Sequence, residues 1–300
     1  MVAVEQSKIF VGMGGWEFGA FDKLFYPSRT AKGFRKLEYY SRFFDNVEIN
    51  ATFYNAAFGP EHARRWLDDV AANKNFMFTV KLFRGFTHTF GATNDDVRSI
   101  RRLLEPLAES GKLGGLVMQF PRSFINTPEH QKYLQQFSRV FYPYRMFVEV
   151  RHVSWNNHLA YNFLQENKLH LVNVDLPPMK QYMPFTAEAW NGAAYFRMMG
   201  RGKIIPGHPE LGDRSNYFYN KQDLDDLCLR IKNAQSVAHM MFVVFHNVAD
   251  SALVNALQLQ HRLDATKRAR VPENSASAAT ALRRFTESLD ERYPLFAQAS

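Results

Sequence analysis

Eight short apolar runs, separated by stretches with helical spacing, constrain the fold of this chain most strongly. Most of the runs are continuous rather than alternating, as expected for a parallel sheet whose outer face is covered by helices. Strand and helix alternating about eight times predicts an α/β fold of the (β/α)8 TIM-barrel type, which needs roughly 250 residues. A doubly wound open sheet is the alternative, and usually has fewer strands. The runs are residues 8–12, 46–49, 77–81, 116–119, 146–149, 170–174, 194–198 and 241–245.

The stretches between the runs carry the spacing and start signals of helices. Thr127-Pro128-Glu129 indicates an N-cap, a proline at the first helical position and an acidic first turn. Ser154 and Asn220 are predicted caps of two further helices. Two sets of residues each fall on one helical face, namely Phe34, Leu37, Ser41 and Phe44, and Ile100, Leu103, Leu104 and Leu107.

The pattern predicts one barrel domain with two additions. The barrel is placed at 1–265, and a division of the chain into two domains is the alternative. Residues 200–220, rich in glycine, proline and charge, are predicted to form a long loop over the barrel mouth after the seventh strand. Residues 266–300 are predicted to form a C-terminal helical extension, with a helix near 276–289.

Composition limits the environment and the partners of the protein. The single cysteine, Cys228, excludes an intramolecular disulfide and is predicted to pack in a helix. No apolar stretch approaches the roughly 20 residues that cross a bilayer, and no secretory leader pattern is seen, so we expect a cytoplasmic protein without membrane contact. A formal net charge of +8 favours anionic partners, either a small phosphorylated molecule or nucleic acid.

Polar or charged residues close nearly every one of the eight runs. Because the active site of a TIM barrel lies at the carboxyl ends of its strands, these residues are predicted to converge at one mouth. Alternation along a strand places Glu48 with Asn50, and Glu149 with Arg151, on one face. In chain order the residues are Gly14, Gly15, Trp16, Glu48, Asn50, Lys81, Gln119, Glu149, Arg151, Asn173, Asp175, Arg197, His246 and Asn247.

Three of these residues are predicted to be catalytic. Glu149 is assigned as general base and Glu48 as a second acid or base, because paired carboxylates serve these roles when their surroundings separate their pKa values. Lys81 is assigned to stabilise negative charge. A Schiff base at Lys81 would need a lowered pKa, which neighbouring carboxylates would oppose. The alternative is that both glutamates form ion pairs and hold the mouth together.

A further set is predicted to bind substrate. Arg151 and Arg197 suit bidentate capture of phosphate or carboxylate. Aromatic side chains near the mouth can stack on a sugar or base, and amides such as Asn173 can orient a substrate. The predicted substrate-binding residues are Trp16, Asn50, Tyr54, His88, Gln119, Arg151, Trp155, Asp175, Arg197, His246 and Asn247.

A metal site is a competing possibility at the same mouth. Mixed nitrogen and oxygen ligands are offered by His88, His152, Glu48, Glu149, Asp175 and His246. No HxH, HExxH or cysteine-rich spacing supports it, and Lys81 with two arginines would compete with a cation. We therefore predict no cofactor and no metal, with a divalent metal as the alternative.

Several ordered motifs resemble the DUF72, or YecE-like, family, from about Ile9 to Leu263. The resemblance implies a TIM barrel, distantly similar to barrels that include endonuclease IV and xylose isomerase, and it implies no activity. The chain departs from the family pattern at Arg197-Met198-Met199-Gly200, where Arg-x-His-Gly is expected, and at Phe245-His246-Asn247, where Phe-Asn-Asn is usual. The motifs are Val11-Gly12-Met13-Gly14-Gly15-Trp16, Phe25-Tyr26-Pro27, Val47-Glu48-Ile49-Asn50-Ala51-Thr52-Phe53-Tyr54, Phe78-Thr79-Val80-Lys81, Thr87-His88, Met118-Gln119-Phe120-Pro121 and Val148-Glu149-Val150-Arg151-His152-Val153-Ser154-Trp155.

Together these features favour an enzyme with hydrolase-like acid–base chemistry on an anionic, phosphorylated or sugar-containing substrate. A non-catalytic barrel that binds nucleic acid or another anion is the first alternative. A metal-dependent enzyme similar to endonuclease IV or a sugar isomerase is the second. The sequence leaves the substrate and the oligomeric state open.

Overall fold

Eight parallel strands close into a barrel in which each strand pairs with its neighbours in the chain and the eighth pairs with the first. The computed structural model describes residues 7–27, 32–203, 213, 215–247 and 249–263. The predicted TIM barrel is confirmed, and every predicted run lies within a strand. The strands are β1 Lys8–Met13, β2 Asn46–Ile49, β3 Met77–Lys81, β4 Leu113–Gln119, β5 Met146–Glu149, β6 Leu169–Asp175, β7 Gly192–Met198 and β8 Ala238–Phe245.

Helices cover the outside of the barrel. The helices are α1 Phe21–Leu24, α2 Lys36–Tyr40, α3 Ala51–Tyr54, α4 Pro60–Asp69, α5 Arg84–Thr87, α6 Asn94–Glu109, α7 Pro128–Val140, α8 His158–Glu166, α9 Lys221–Ala234 and α10 Ala249–Leu263. Thr127 caps α7 and Asn220 caps α9, as predicted. The predicted cap at Ser154 is wrong, because its hydroxyl accepts a hydrogen bond from the Asn126 amide, and Asn157 caps α8 instead.

The connection between β6 and β7 departs from the strict strand–helix alternation. Residues 176–191 contain no helix. Pro177, Pro178 and Pro184 explain this, since proline lacks the amide hydrogen that a helix interior needs. The segment is tied to the barrel mouth by an isolated bridge between His152 and Tyr182.

The barrel interior has an apolar layer below a charged layer. Phe147, Tyr195 and Phe242 pack against one another with ring centroids 4.8 to 5.8 Å apart. The hydroxyl of Tyr195 donates a hydrogen bond of 2.7 Å to Glu48, in the layer above. The aromatic layer therefore excludes water from below and leaves the charged layer open only at the carboxyl ends of the strands.

Some predictions fall partly or wholly outside the described residues. The C-terminal extension at 266–300 lies outside them, as do residues 204–212 and 214 of the predicted mouth loop. The boundary at residue 265 therefore stays a prediction. Cys228 is buried on α9, as predicted. None of the helices described is both long and apolar enough to span a membrane.

Candidate active site

A cleft of about 560 Å³ opens at the carboxyl ends of the strands. Nine predicted site residues line it: Asn50, Tyr54, Lys81, His88, Gln119, Arg151, Arg197, His246 and Asn247. Glu48 and Glu149 lie directly beneath, fully buried. The strand ends thus converge as the sequence predicts, while the roles of these residues in binding and catalysis stay predictions.

Arg197 on β7 organises the floor of the cleft. Its Nη2 donates to Glu48 on β2 at 2.8 Å, and its Nη1 donates to Glu149 on β5 at 2.5 Å. Its Nε donates to Nε2 of His246 at 3.0 Å. Arg151 donates from Nε to the second oxygen of Glu149 at 2.8 Å. Both carboxylates are therefore bound by arginine before any ligand enters.

These ion pairs decide the protonation of the two glutamates. Burial alone would raise the pKa of Glu149, but Arg197 and Arg151 outweigh it and lower the pKa to about 2. The pKa of Glu48 is likewise lowered well below its usual range, because the attraction of Arg197 and His246 outweighs burial. A carboxylate held this strongly in its charged form is a poor general base at neutral pH. The geometry therefore matches the alternative interpretation, in which the glutamates are structural ion-pair partners.

Lys81 lies at the end of β3 and faces the cleft with little exposure. Its backbone carbonyl is fixed by a hydrogen bond of 2.6 Å from the Thr52 hydroxyl. Its Nζ lies 4.0 Å from the centre of the Phe53 ring. Burial lowers the pKa of Lys81, and the charge of Arg197 contributes, so that the pKa is about 7. The two glutamates act in the opposite direction, as predicted, but do not prevent the lowered pKa.

The remaining charged residues make the cleft cationic. Lys81, Arg84, Arg151 and Arg197 line it, whereas no aspartate or glutamate of the described chain is exposed in its walls. Against these four cations stand only the two buried glutamates beneath the floor. The excess of positive charge suits an anionic ligand.

His246 and Gly14 pack closely on one side of the cleft. A Cβ added at Gly14 would lie 2.3 Å from Nδ1 of His246, so that only glycine fits there. Asn50 donates from Nδ2 to the carbonyl of Gly14 at 2.6 Å. Burial and Arg197 lower the pKa of His246. Its Nε2 lies 3.0 Å from Nε of Arg197 and 3.3 Å from Oε2 of Glu48.

Asp175 is predicted to lie in the cleft, but the structure places it outside. Val172 and Val174 on β6 point into the barrel, so Asn173 and Asp175 point outward by the alternation of the strand. Both oxygens of Asp175 accept hydrogen bonds of 2.9 Å from Nε of Arg201. The prediction is wrong because both faces of β6 are buried, so that the sequence of the strand does not show which face lines the barrel.

Two tryptophans predicted to bind substrate also lie away from the cleft. Trp155 is fully buried, and its Nε1 donates to the carbonyl of Phe124 at 2.9 Å. Trp16 packs edge-on against Trp66, with ring centroids 6.0 Å apart. Both serve packing between loops and helices.

Several lining residues have no binding or catalytic role assigned from the sequence. Most follow the strand ends by a few positions, on short helices or loops whose orientation only the fold decides. The charge of Arg84 was a signal that could have been used. The residues are Met13, Gly14, Phe18, Arg84, Met199, Phe245 and Ala252; Phe53, one of the aromatic residues predicted to stack on a sugar or base, also lines the cleft.

The metal alternative does not fit this arrangement. Among the described residues, no three histidine, cysteine, aspartate or glutamate side chains form a possible metal site. Arg197 occupies the position between Glu48 and Glu149 that a cation would need. His152 is engaged with Ser154, at 2.9 Å between Nδ1 and Oγ. The side chains that were candidate metal ligands therefore form ion pairs and hydrogen bonds within turns.

Comparisons with known proteins agree with the fold. A family model described as "Protein of unknown function DUF72" matches residues 10–281. The UPF0759 protein YunF of Bacillus subtilis (strain 168) is 29% identical over 275 residues, covering 85% of this chain and 95% of that protein. A DUF72 family structure from Thermotoga maritima is 29% identical with a TM-score of 0.74, covering 85% of this chain and 99% of the other. One from Enterococcus faecalis is 26% identical with a TM-score of 0.74, covering 86% and 96%.

Proposed function

Because this chain belongs to the DUF72 family, whose description carries no activity, we propose its function from the cleft. The cleft is the active site of an enzyme that binds a small anionic molecule, phosphorylated or carboxylated. Its reactive group is the amine of Lys81.

The observation that carries this proposal is the pairing pattern of the charged residues. Arg197 and Arg151 bind both carboxylates, and this leaves Lys81 and Arg84 facing the cleft. Within the part of the chain described, neither Lys81 nor Arg84 has a salt-bridge partner closer than 4.0 Å. Arg84, which stays charged at neutral pH, is suited to hold an entering anion.

The assignment of the reactive group follows from protonation. Catalytic proton transfer is most efficient when the pKa of the group lies near the working pH. Lys81, with a pKa of about 7, meets this condition, whereas Glu149, with a pKa of about 2, does not. A buried group with a strongly shifted pKa in a cleft is also a general indicator of a functional site. The proposal therefore transfers the role of reactive group from Glu149 to Lys81.

Phosphate binding tests the anion site. Inorganic phosphate is titrated into the wild type, Arg84→Gln and the control Arg98→Gln, and heat is measured by calorimetry. Arg98 lies on α6, is exposed and does not line the cleft. We expect saturable binding to the wild type and the control, and at least tenfold weaker binding to Arg84→Gln, about 1.4 kcal/mol. Equal affinities for all three proteins would contradict the proposal.

Salt dependence separates a small-molecule site from a nucleic-acid surface. A protein that contacts many phosphates of a polymer loses affinity steeply as salt increases, since each contact releases counterions. We expect inorganic phosphate to displace a small phosphorylated ligand from the cleft completely. We expect a single-stranded oligonucleotide to bind weakly or not at all. Oligonucleotide binding that is tighter than phosphate binding and is lost in Arg84→Gln would favour the nucleic-acid alternative.

A further inference from the structure

We propose that Lys81 is an imine-forming nucleophile and that the substrate is an aldehyde or ketone that also carries a phosphate or carboxylate group. This inference rests on the proposed function, since the anionic group of the substrate would be held by the cationic walls of the same cleft.

The position of Lys81 is the first observation. Its side chain lines the cleft and is 8% exposed, and strand β3 together with the Thr52 hydrogen bond fixes its backbone. The two nearby carboxylates are already bound by Arg197. The amine is therefore presented to the cleft with no carboxylate of the described chain within 4.0 Å.

The surroundings of the amine are the second observation. Phe53 lies beneath Nζ at 4.0 Å, and its ring is held edge-on by Tyr54 and His88, both with ring centroids 5.0 Å away. An aromatic face stabilises a cation that lies over it. An iminium ion formed at Nζ is such a cation, and unlike an ammonium ion it has lost most of its hydrogen-bond donors, which suits an apolar wall.

The protonation state supports the same role. Because burial and Arg197 lower the pKa of Lys81 to about 7, a substantial fraction of the amine is uncharged at neutral pH. A lysine amine attacks a carbonyl only in this uncharged form.

Imine formation at this amine needs no oxidant or reductant. The nitrogen lone pair forms a bond to the carbonyl carbon, and one proton moves from nitrogen to the carbonyl oxygen, which gives a carbinolamine. A second proton, from solvent, reaches the hydroxyl oxygen, the carbon–oxygen bond breaks and water leaves. The product is an iminium ion that links Nζ to the substrate carbon.

Reductive trapping of the full chain tests the inference. The protein is incubated with glyceraldehyde 3-phosphate, then treated with borohydride, which reduces an imine to a stable secondary amine, and the site is mapped by mass spectrometry of peptides. Glyceraldehyde, which lacks the phosphate, is the matched probe. Lys132→Arg, a replacement of a lysine on α7 away from the cleft, is the matched control variant. We expect one adduct per chain, on Lys81, at least ten times more abundant than with glyceraldehyde.

Variants and competition distinguish the possible results. The adduct should disappear in Lys81→Arg and in Lys81→Met, persist in Lys132→Arg, and decrease when inorganic phosphate is added. Its rate of formation should fall as the pH is lowered below 7. An adduct spread over surface lysines, or one that persists in folded Lys81→Met, would overturn the inference.

The anion-site proposal and the imine proposal would fail with different experimental results. If phosphate binds in the cleft and is weakened by Arg84→Gln, but no adduct forms on Lys81, the anion site stands and the imine is rejected. If phosphate does not bind and no adduct forms, both proposals fall.

Discussion

Arg197 and Glu149 form an ion pair of 2.5 Å that joins β7 to β5 at the base of the cleft, and both side chains are almost fully buried. The same guanidinium reaches Glu48 on β2 at 2.8 Å. A buried ion pair is weak evidence of net stabilisation, but removal of one partner leaves the others charged and desolvated. Arg197 thus links three strands across the barrel mouth and sets the charge of the cleft.

Arg197→Met should lower the free energy of unfolding at pH 7 by about 3 to 5 kcal/mol, because two buried carboxylates lose their main partner. In the wild type the lowered pKa values of the glutamates contribute stability above pH 4.5, and this contribution is lost as the pH falls toward 2. The deficit of the variant should therefore be smaller at pH 3 than at pH 7. Urea unfolding at both pH values measures it, and an equal deficit would contradict the ion-pair explanation.

Lys81→Met should stabilise the protein at neutral pH. The pKa of Lys81 falls from 10.5 to about 7 on folding, so folding disfavours the charged amine. The penalty is complete below pH 7 and disappears as the pH rises toward 10.5, where the amine is uncharged in both the folded and the unfolded chain. Since a tenfold change in a proton-binding constant corresponds to about 1.4 kcal/mol, we expect a gain of up to about 5 kcal/mol at pH 6 that shrinks to about 2 kcal/mol at pH 9.

The control for this gain is Lys132→Met, a replacement of the same chemistry on α7, outside the cleft. Urea unfolding of the two variants at pH 6 and pH 9 separates the removal of a buried amine from the general effect of methionine. A gain that is the same at both pH values, or equal in the control, would argue against the lowered pKa.

Gly14→Ala should disturb the cleft by crowding. The new Cβ would lie 2.1 Å from Cε1 of His246, far inside normal contact distance. Overpacking of this kind costs about 1 to 3 kcal/mol. Truncation of the ring in Gly14→Ala/His246→Ala should relieve it, with a coupling energy of at least about 0.5 kcal/mol in a double-mutant cycle. If the losses of unfolding free energy in the two single variants simply add in the double variant, the His246 ring is not what excludes a side chain at position 14.

Asp175→Asn should leave phosphate binding unchanged and lower stability. Asp175 points away from the cleft and is bound by Arg201, which has a second partner in Asp223 at 3.0 Å. Loss of a hydrogen bond to a charged group costs about 1.5 to 3 kcal/mol. Trp155→Phe is a parallel test, since it removes the bond to Phe124 outside the cleft. A change of more than threefold in phosphate affinity in either variant would show that the substituted residue contributes to ligand binding in the cleft.

The amino-acid sequence was enough to predict the barrel, its strands and the ring of polar residues at one mouth. It was enough because burial on both faces demands continuous apolar runs, and because strand ends in a closed parallel barrel meet at one rim. Glu48, Lys81, Glu149 and Arg151 were found in this way, each at or within two residues of the end of an obvious run.

The closed barrel, in contrast, determines which polar residues face inward and which charges neutralise one another. Both faces of β6 are buried, so its sequence does not show which face lines the barrel, and Asp175 points outward toward Arg201. The proposal that Lys81 rather than Glu149 is the reactive group has a related basis. Arg197 lies 49 residues from His246, 48 from Glu149 and 149 from Glu48 along the chain, so its contacts, and the pKa values that follow from them, depend on distances that exist only after the barrel has closed.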